Sequence, residues 1–441
     1  MPSNNYSQCR FIGYAIPTGP SQDKLIASKY LVGNYLGSDD LEQDLVARVQ
    51  ILQNAVDTAK LALPSDDGLL VNNIFMAPEF FFHGTMGAYI YRDEEDDPAA
   101  RALELLAQTF NAQDYPNWTF VFGTMVSAKV ANIDAIFESP SVQMRKKLVE
   151  SLAINAQAEF GNARSVTEQI LNQTIAELRI NPAVSVRDRA LIFSNIDLQI
   201  PGQSKAHQKM SSEKYFLSPI DFVLFETNNQ NVITEEMVGY PYIDLSNGDT
   251  KKNPYDAHAI FRQNYGVGNS PEYMDFGVEI CLDHDDARLR KNLEPQGAVS
   301  KGNAVHIHLI PSSGSAIVQQ CVVADSNGFV FNVDGWCAYD DSSTPQQGDV
   351  NGVQSLYASY HDLQNGTQYA AHSQLARINA PAKGNDPNLY PASFQNLDVD
   401  NLEVHAVPVP SLDHGAFSDY FAGGSGALHI FGAKQAYVLF P

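Results

Sequence analysis

The sequence predicts an α/β fold, because strand-like and helix-like segments alternate along its first two thirds. C-R-F-I-G-Y-A-I (residues 9–16) has the apolar character of a buried strand. Residues 41–62 repeat leucine and valine at helical spacing and predict an amphipathic helix. N-N-I-F-M-A (72–77) predicts a second strand, which Pro78 ends. Strands separated by helices indicate helices packed on a sheet.

The same alternation continues downstream. Residues 98–110 predict a second helix, and N-W-T-F-V-F-G-T-M-V (117–126) predicts a strand that ends near Gly123. Further strands are expected at 189–200, 274–281, 304–311 and 328–334.

We expect one domain over residues 1–441, with two insertions and a C-terminal extension. The first insertion covers about 127–186 and contains a predicted helix at 142–180. The second, about 223–270, is rich in Asn, Asp, Tyr and Gly and predicts a long surface excursion. From about 340 the chain is rich in turn residues, with one late strand near 427–440.

Charge and composition exclude several classes of protein. The 51 acidic against 28 basic residues give a formal charge of -23, which argues against nucleic-acid or anionic-membrane partners. The first ten residues lack an apolar signal core, and no apolar run reaches the length of a membrane span. The four cysteines have no C-x-x-C spacing, so we expect free thiols in a reducing, cytoplasmic setting.

Residues 277–286, G-V-E-I-C-L-D-H-D-D, place a cysteine at the end of a strand and before a predicted helix. This order of strand, cysteine and helix resembles the geometry that exposes a catalytic side chain above a sheet. The following acids disfavour the thiolate of Cys281, so a nucleophilic role requires a cation from elsewhere in the chain. The alternative is an inert, buried cysteine.

Two other segments carry possible partners for this thiol. In M-A-P-E-F-F-F, Glu79 follows a strand-ending proline, and its apolar surroundings favour a carboxyl pKa suited to a general base. The alternative is a solvated glutamate at a strand end. Residues 205–216, K-A-H-Q-K-M-S-S-E-K-Y-F, supply three lysines, any of which can stabilise an oxyanion or a thiolate. The alternative is a solvated basic turn.

Taken in order, Glu, Lys and Cys resemble the catalytic set of the nitrilase superfamily of carbon–nitrogen hydrolases. The resemblance covers roughly residues 9 to 335, between the insertions. The motifs that carry it are Pro78-Glu79, the segment Gly277 to Asp283 followed by Arg288, the small-residue turn Pro311-Ser312-Ser313-Gly314, and the strand with Asn195 before Gly202.

The resemblance implies a four-layer α-β-β-α sandwich and a thiol-dependent hydrolase of a non-peptide amide, carbamoyl or nitrile bond. Glu79 would be the general base and acid, Cys281 the nucleophile that forms an acyl-thioester, and Lys209 the oxyanion stabiliser. Lys205 and Lys214 are the other candidates for the lysine.

The family's pattern also suggests substrate contacts by Glu213 and by the backbone N–H of Leu282. C-L-D at 281–283 favours an amidase over a nitrilase. No metal or organic cofactor is expected. The partners would be a small-molecule amide or nitrile and further copies of the same chain, in a homo-oligomer.

Two other hypotheses remain open at this stage. A non-catalytic relative could bind a ligand or partner through the same pocket. A metal-dependent hydrolase could use His306 and His308 of H-I-H together with the acids at 283–286.

Overall fold

A computed structural model of the chain shows a mixed α/β protein with one large sheet and few helices. The structure describes residues 6, 8–19, 21–22, 33–34, 36–64, 70–85, 87–130, 184–200, 206–214, 256–257, 259–265, 272–292, 305–339, 348–361, 368–383, 388–421 and 423–439. Most of both predicted insertions, the helix expected at 142–180, and Lys205 lie outside these residues.

Within those ranges there are four α-helices: α1 (Leu41–Ala62), α2 (Pro98–Thr109), α3 (Leu282–Asp285) and α4 (Arg288–Asn292). Short 3₁₀ turns occur at Glu94–Asp96, Gln319–Cys321, Val399–Asn401 and Phe417–Asp419. Helix α1 has the predicted bounds because Asp40 accepts the Gln43 N–H at its start, and its apolar positions lie on one buried face. None of the described helices is both long and apolar enough to cross a membrane.

The strands are numbered in chain order. They are β1 (Gln8–Ala15), β2 (Ser21–Gln22), β3 (Gly33–Asn34), β4 (Val71–Ala77), β5 (Tyr89–Tyr91), β6 (Trp118–Val130), β7 (Val184–Gln199), β8 (Ala206–Glu213), β9 (Asp256–Ala257), β10 (Ile260–Tyr265), β11 (Glu272–Val278), β12 (Val305–Ser312), β13 (Ala324–Tyr339), β14 (Gly348–Val350), β15 (Val353–His361), β16 (Gln368–Ala380), β17 (Ser393–Gln395), β18 (Leu402–Ala406), β19 (Ala427–Phe431) and β20 (Tyr437–Val438).

The large sheet has two arms. In the first arm β1, β4 and β6 are parallel, β7 and β8 continue antiparallel, and β19 and β18 extend the other side of β1. In the second arm β11, β12 and β13 are parallel, and β16 and β15 follow antiparallel. Strand β10 joins the arms, because it pairs with both β7 and β11.

Two layers of packing position these arms. Side chains of both arms share one buried cluster, with Phe11, Met76 and Val121 from the first and Phe276 and Phe331 from the second. The opposite face of the first arm packs against α1 and α2. The predicted functional residues Glu79 and Cys281 follow the carboxyl ends of the parallel strands β4 and β11, respectively.

The region after residue 340 differs from its prediction. Seven strands, β14 to β20, lie between residues 348 and 439, where the sequence predicts turns and one late strand. Strand β16 is long and pairs with both β13 and β15. Polar residues inside it, such as the fully buried Ser373 and the nearly buried His372, dilute the apolar pattern on which a strand prediction relies.

Candidate active site

Glu79 lies in a tight turn directly after β4, and the turn is held from several sides. Its N–H donates to the Ser312 carbonyl at 3.2 Å, and its own carbonyl accepts the Thr18 hydroxyl at 2.5 Å. The next residue, Phe80, has a positive φ of 59°, and its N–H donates to the Thr124 hydroxyl at 2.9 Å. The Glu79 side chain is fully buried, so the turn presents a carboxylate inside the protein.

Gly123 makes room for this turn. It has φ +75°, and a Cβ built there would lie 2.2 Å from the Pro78 carbonyl oxygen. Strand β6 can therefore approach the turn this closely only with glycine at the position.

The cation beside Glu79 is Lys214. Its Nζ lies 2.6 Å from Glu79 Oε1 and 3.8 Å from Asp188 Oδ2, and all three side chains are fully buried. Its backbone N–H donates to the Asp188 carbonyl at 2.8 Å, and its Nζ is 5.6 Å from the centre of the Phe80 ring. Two carboxylates and an aromatic face thus surround one buried ammonium group.

Cys281 lies where β11 has ended and α3 begins. Its N–H donates to the Pro311 carbonyl at 3.2 Å, and its carbonyl accepts the N–H of His284 at 2.8 Å. Its φ of 48° and ψ of -107° are unusual for a non-glycine residue, so the thiol sits at a strained corner between strand and helix. The thiol is 8% exposed and lies 3.9 Å from the Ser313 carbonyl oxygen.

The electrostatics link Cys281 to the other two residues. Burial raises the pKa of the Cys281 thiol well above its ordinary value, and the negative charge of Glu79 raises it further. The positive charge of Lys214 opposes both effects, because taken alone it would lower this pKa, but the net shift is upward. The resting group is therefore a thiol, and a thiolate formed there has Lys214 as its stabilising cation.

The structure brings together Glu79, Cys281 and Lys214, and it does not bring Lys209 to Glu79. Lys209 lies within β8, opposite Phe193 of β7, and is only partly buried. Lys214 instead follows the last residue of that strand, as Glu79 and Cys281 follow theirs. The choice of Lys209 from the sequence is therefore replaced by Lys214.

The two predicted substrate contacts have different positions. The Glu213 carboxylate binds Arg187 through two hydrogen bonds of 3.0 and 2.8 Å, so Arg187 already occupies it. Leu282 is the first residue of α3, directly after Cys281. The first N–H groups of a helix lack intrahelical acceptors, which suits an oxyanion donor at this residue.

The acid and the arginine of the cysteine motif bind each other. Asp283 Oδ2 lies 2.6 Å from Arg288 Nη1, and both side chains are buried. The same Nη1 donates to the Glu213 carbonyl at 2.8 Å, one residue before Lys214. This pair therefore links the turn of Cys281 to the end of β8, so Asp283 contributes to the site by holding these two segments together.

Sequence reasoning missed two carboxylates that act on the site. Asp188 contacts Lys214 as described above. Asp334 accepts hydrogen bonds from Ser312, Gly314 and Ser315, which shape the loop beside the thiol, and its charge also raises the pKa of Cys281. Both acids lie inside long strands. The sequence shows that they are charged residues in apolar segments, but it does not show which way their side chains point.

The histidines of H-I-H are not brought to one site. His306 Nδ1 accepts the Asp275 N–H at 2.8 Å, whereas His308 Nε2 lies 2.9 Å from Glu279 Oε2. A different group, Glu279, His284 and His308, has ligand atoms within 4.8 Å of one another and is the described cluster that could hold a metal. His284 lies among the acids at 283–286, but Glu279 was not considered in the sequence.

Comparisons with known proteins identify no family for this chain. No family model matches the sequence, and no curated protein matches it significantly.

Proposed function

We propose that the protein is a thiol-dependent hydrolase of a non-peptide carbon–nitrogen bond, with Cys281 as nucleophile, Glu79 as general base and acid, and Lys214 as the stabilising cation. The observation that carries the proposal is the buried Glu79–Lys214 ion pair acting on the Cys281 thiol at the carboxyl ends of parallel strands. This is the set that the nitrilase resemblance implies, with Lys214 in the lysine's role.

The chemistry follows from the arrangement. Glu79 accepts the proton of the Cys281 thiol while sulfur attacks the carbon of an amide, carbamoyl or nitrile group. Lys214 and the Leu282 N–H stabilise the negative charge that develops on the substrate oxygen or nitrogen. With an amide, the carbon–nitrogen bond breaks, the leaving amine takes the proton from Glu79, and an acyl-thioester remains on sulfur.

Water then completes the cycle. Glu79 takes a proton from the water that attacks the thioester carbon, and the carbon–sulfur bond breaks to release a carboxylic acid. The sulfur regains a proton, which restores the thiol that burial favours. An amide substrate is preferred in this proposal because of C-L-D at 281–283, although Asp283 itself binds Arg288.

The four-layer sandwich and self-association belong to the same proposal. Helices α1 and α2 on one arm, and the shared cluster between the arms, support three of the four layers. The outer face of the second arm is covered in the described residues by short segments, among them α4 and the turn at Gln319–Cys321. Association through a helix face remains an expectation from the resemblance.

The test is mass spectrometry of the intact protein after incubation with a panel of small amides and nitriles. We expect a mass increase equal to the acyl group on Cys281, and its complete loss in Cys281→Ala. Cys9→Ala is the matched control, because Cys9 is also buried but lies at the opposite end of the sheet, and we expect it to keep the adduct. Turnover that survives Cys281→Ala would overturn the proposal. A panel that leaves no adduct and no product would favour the non-catalytic ligand-binding alternative.

A further inference from the structure

Glu279 lies two residues before Cys281, and its buried carboxylate joins three elements around that residue. Its Oε2 lies 2.7 Å from His284 Nδ1 of α3 and 2.9 Å from His308 Nε2 of β12. Its Oε1 accepts the N–H of Leu289 in α4 at 2.6 Å. The three side chains of Glu279, His284 and His308 are fully buried.

The backbone assigns the protons of both rings. The Val318 N–H points at His284 Nε2 at 3.0 Å, and the Val323 N–H points at His308 Nδ1 at 3.4 Å. An N–H only donates, so each of these ring nitrogens accepts, and in a neutral ring the other nitrogen carries the proton. Burial lowers the pKa of His308, which keeps that ring neutral. The protonated Nδ1 of His284 donates to Glu279, and the protonated Nε2 of His308 lies 2.9 Å from the same carboxylate.

This proton arrangement disfavours a metal. A histidine that ligates a metal normally donates its second N–H to a carbonyl or carboxylate, whereas here both second nitrogens accept. To ligate a metal between the rings, the nitrogen of each ring that faces Glu279 would have to lose its proton. The other nitrogen of each ring already accepts a backbone N–H, so neither nitrogen of the ring would then carry a proton. Burial raises the pKa of Glu279, but His308 and His284 outweigh it and hold this pKa below its usual range. The cluster is therefore an ionised carboxylate that accepts the N–H groups of His284 and Leu289 and lies 2.9 Å from His308 Nε2.

We propose that Glu279, through His284 and His308, is a positioning residue that holds Cys281 in its strained backbone conformation. The hydrogen bond between Glu279 and His284 spans residues 279–284 and so encloses Cys281, whose φ is 48°. A non-glycine residue keeps such a conformation only where the surrounding contacts enforce it. The inference rests on the proposed role of Cys281 as the nucleophile, because the conformation matters for aiming its sulfur towards Lys214.

The test measures the rate of Cys281 alkylation by iodoacetamide between pH 6 and pH 10, by mass spectrometry of the peptide. Three ionisable groups act on this thiol in the described structure, namely Glu79, Lys214 and Asp334, and all stay intact in the variants. In Glu279→Gln we expect the midpoint of the pH profile to move to lower pH, because a relaxed turn takes the thiol away from the burial and the Glu79 charge that hold its pKa high. Rates at pH 7 should rise by roughly 5- to 150-fold, the range that corresponds to releasing a strained conformation.

The second variant separates positioning from charge. Removing a carboxylate near a thiol also lowers the thiol's pKa, so a lower midpoint in Glu279→Gln alone fits both roles. The second variant is His284→Leu, because leucine has no donor and breaks the link around Cys281, while the charge of Glu279 and its bond to Leu289 remain. A positioning role predicts a lower midpoint in this variant too, whereas a purely electrostatic role of Glu279 predicts no such shift. His306→Asn is the control, since His306 lies two residues before His308 on β12 but binds Asp275.

A midpoint that is unchanged or higher in folded His284→Leu, or unchanged in folded Glu279→Gln, would overturn the inference. Stoichiometric zinc in the purified protein that is lost in His308→Asn would overturn it too, in favour of a metal site. Alkylation reports on Cys281 whether or not a substrate acylates it. The alkylation result therefore tests the positioning role of Glu279 even if the proposed hydrolase activity is not found.

Discussion

Replacing Lys214 with methionine tests the assignment of the lysine most directly. The Nζ of Lys214 lies 2.6 Å from Glu79 and 3.8 Å from Asp188, and all three side chains are fully buried. Methionine keeps the length of the side chain but removes the charge, so two carboxylates lose their shared cation. Removing one partner of a buried ion pair costs about 3–5 kcal/mol, because it leaves an uncompensated buried charge.

The matched control is Lys209→Met, five residues earlier on β8. Lys209 is partly exposed, and a charge at such a position contributes about 1 kcal/mol or less. We therefore expect urea denaturation at pH 7 to show a large loss in the free energy of unfolding for Lys214→Met and a small one for Lys209→Met. The hydrolase proposal adds a fall in kcat of roughly 10²- to 10³-fold for Lys214→Met alone, which is the usual effect of losing one stabilising donor.

A double variant makes the test specific to the ion pair. Glu79→Gln removes the charge that Lys214 neutralises, so Glu79→Gln with Lys214→Met should be less destabilised than the sum of the single changes. The reasoning is refuted if Lys214→Met is as stable as the wild type, or if Lys209→Met loses as much stability and activity as Lys214→Met.

Two further predictions concern the frame around the site and the response of the fold to acid. Gly123→Ala should destabilise the protein more than Gly424→Ala. Both glycines have positive φ, which costs an alanine roughly 1–2 kcal/mol. Of the two, only Gly123 would bring the new Cβ against a backbone oxygen, at 2.2 Å. Equal losses in urea denaturation would mean that the close approach of β6 to Pro78 is not needed. Burial lowers the pKa of His429 to about 3, so the folded protein holds this ring neutral while the unfolded chain protonates it below about 6.5. The free energy of unfolding should fall as the pH drops from about 6.5 towards 3, by at most about 1.4 kcal/mol per pH unit for this group. His429→Gln should reduce that slope, and an unchanged slope would contradict the prediction.

The sequence predicts the elements whose apolar residues have a clear period. The helix at 41–62 is present as Leu41–Ala62, and the strand expected at 304–311 is present as Val305–Ser312. Among the strands after residue 340 the sequence predicts only the late one near 427–440, because buried polar residues interrupt the pattern of others such as β16. Ser373 in β16 is fully buried and lies 2.7 Å from His429 of β19, so a polar contact holds these strands where a pattern search expects apolar residues.

The candidate site divides in the same way. Glu79 and Cys281 are recognisable as candidates because a proline and a helix-like segment mark where their strands end. The lysine is not, because Lys209 and Lys214 are five residues apart, and an odd separation along a strand reverses the direction of the side chain. Only the observed end of β8 at Glu213 separates a lysine within the strand from one that follows it.

The end of β12 explains how Glu79 and Cys281 are held together although about 200 residues separate them. The consecutive carbonyls of Pro311 and Ser312 accept the N–H groups of Cys281 and Glu79, respectively. Adjacent carbonyls of a strand point to opposite sides, so the two turns flank β12 and their separation is fixed by the width of a strand. The bond from Arg288 to the Glu213 carbonyl then ties the turn of Cys281 to the residue before Lys214. All three candidate residues are thus aligned by backbone contacts at strand ends, although they come from segments far apart in the chain.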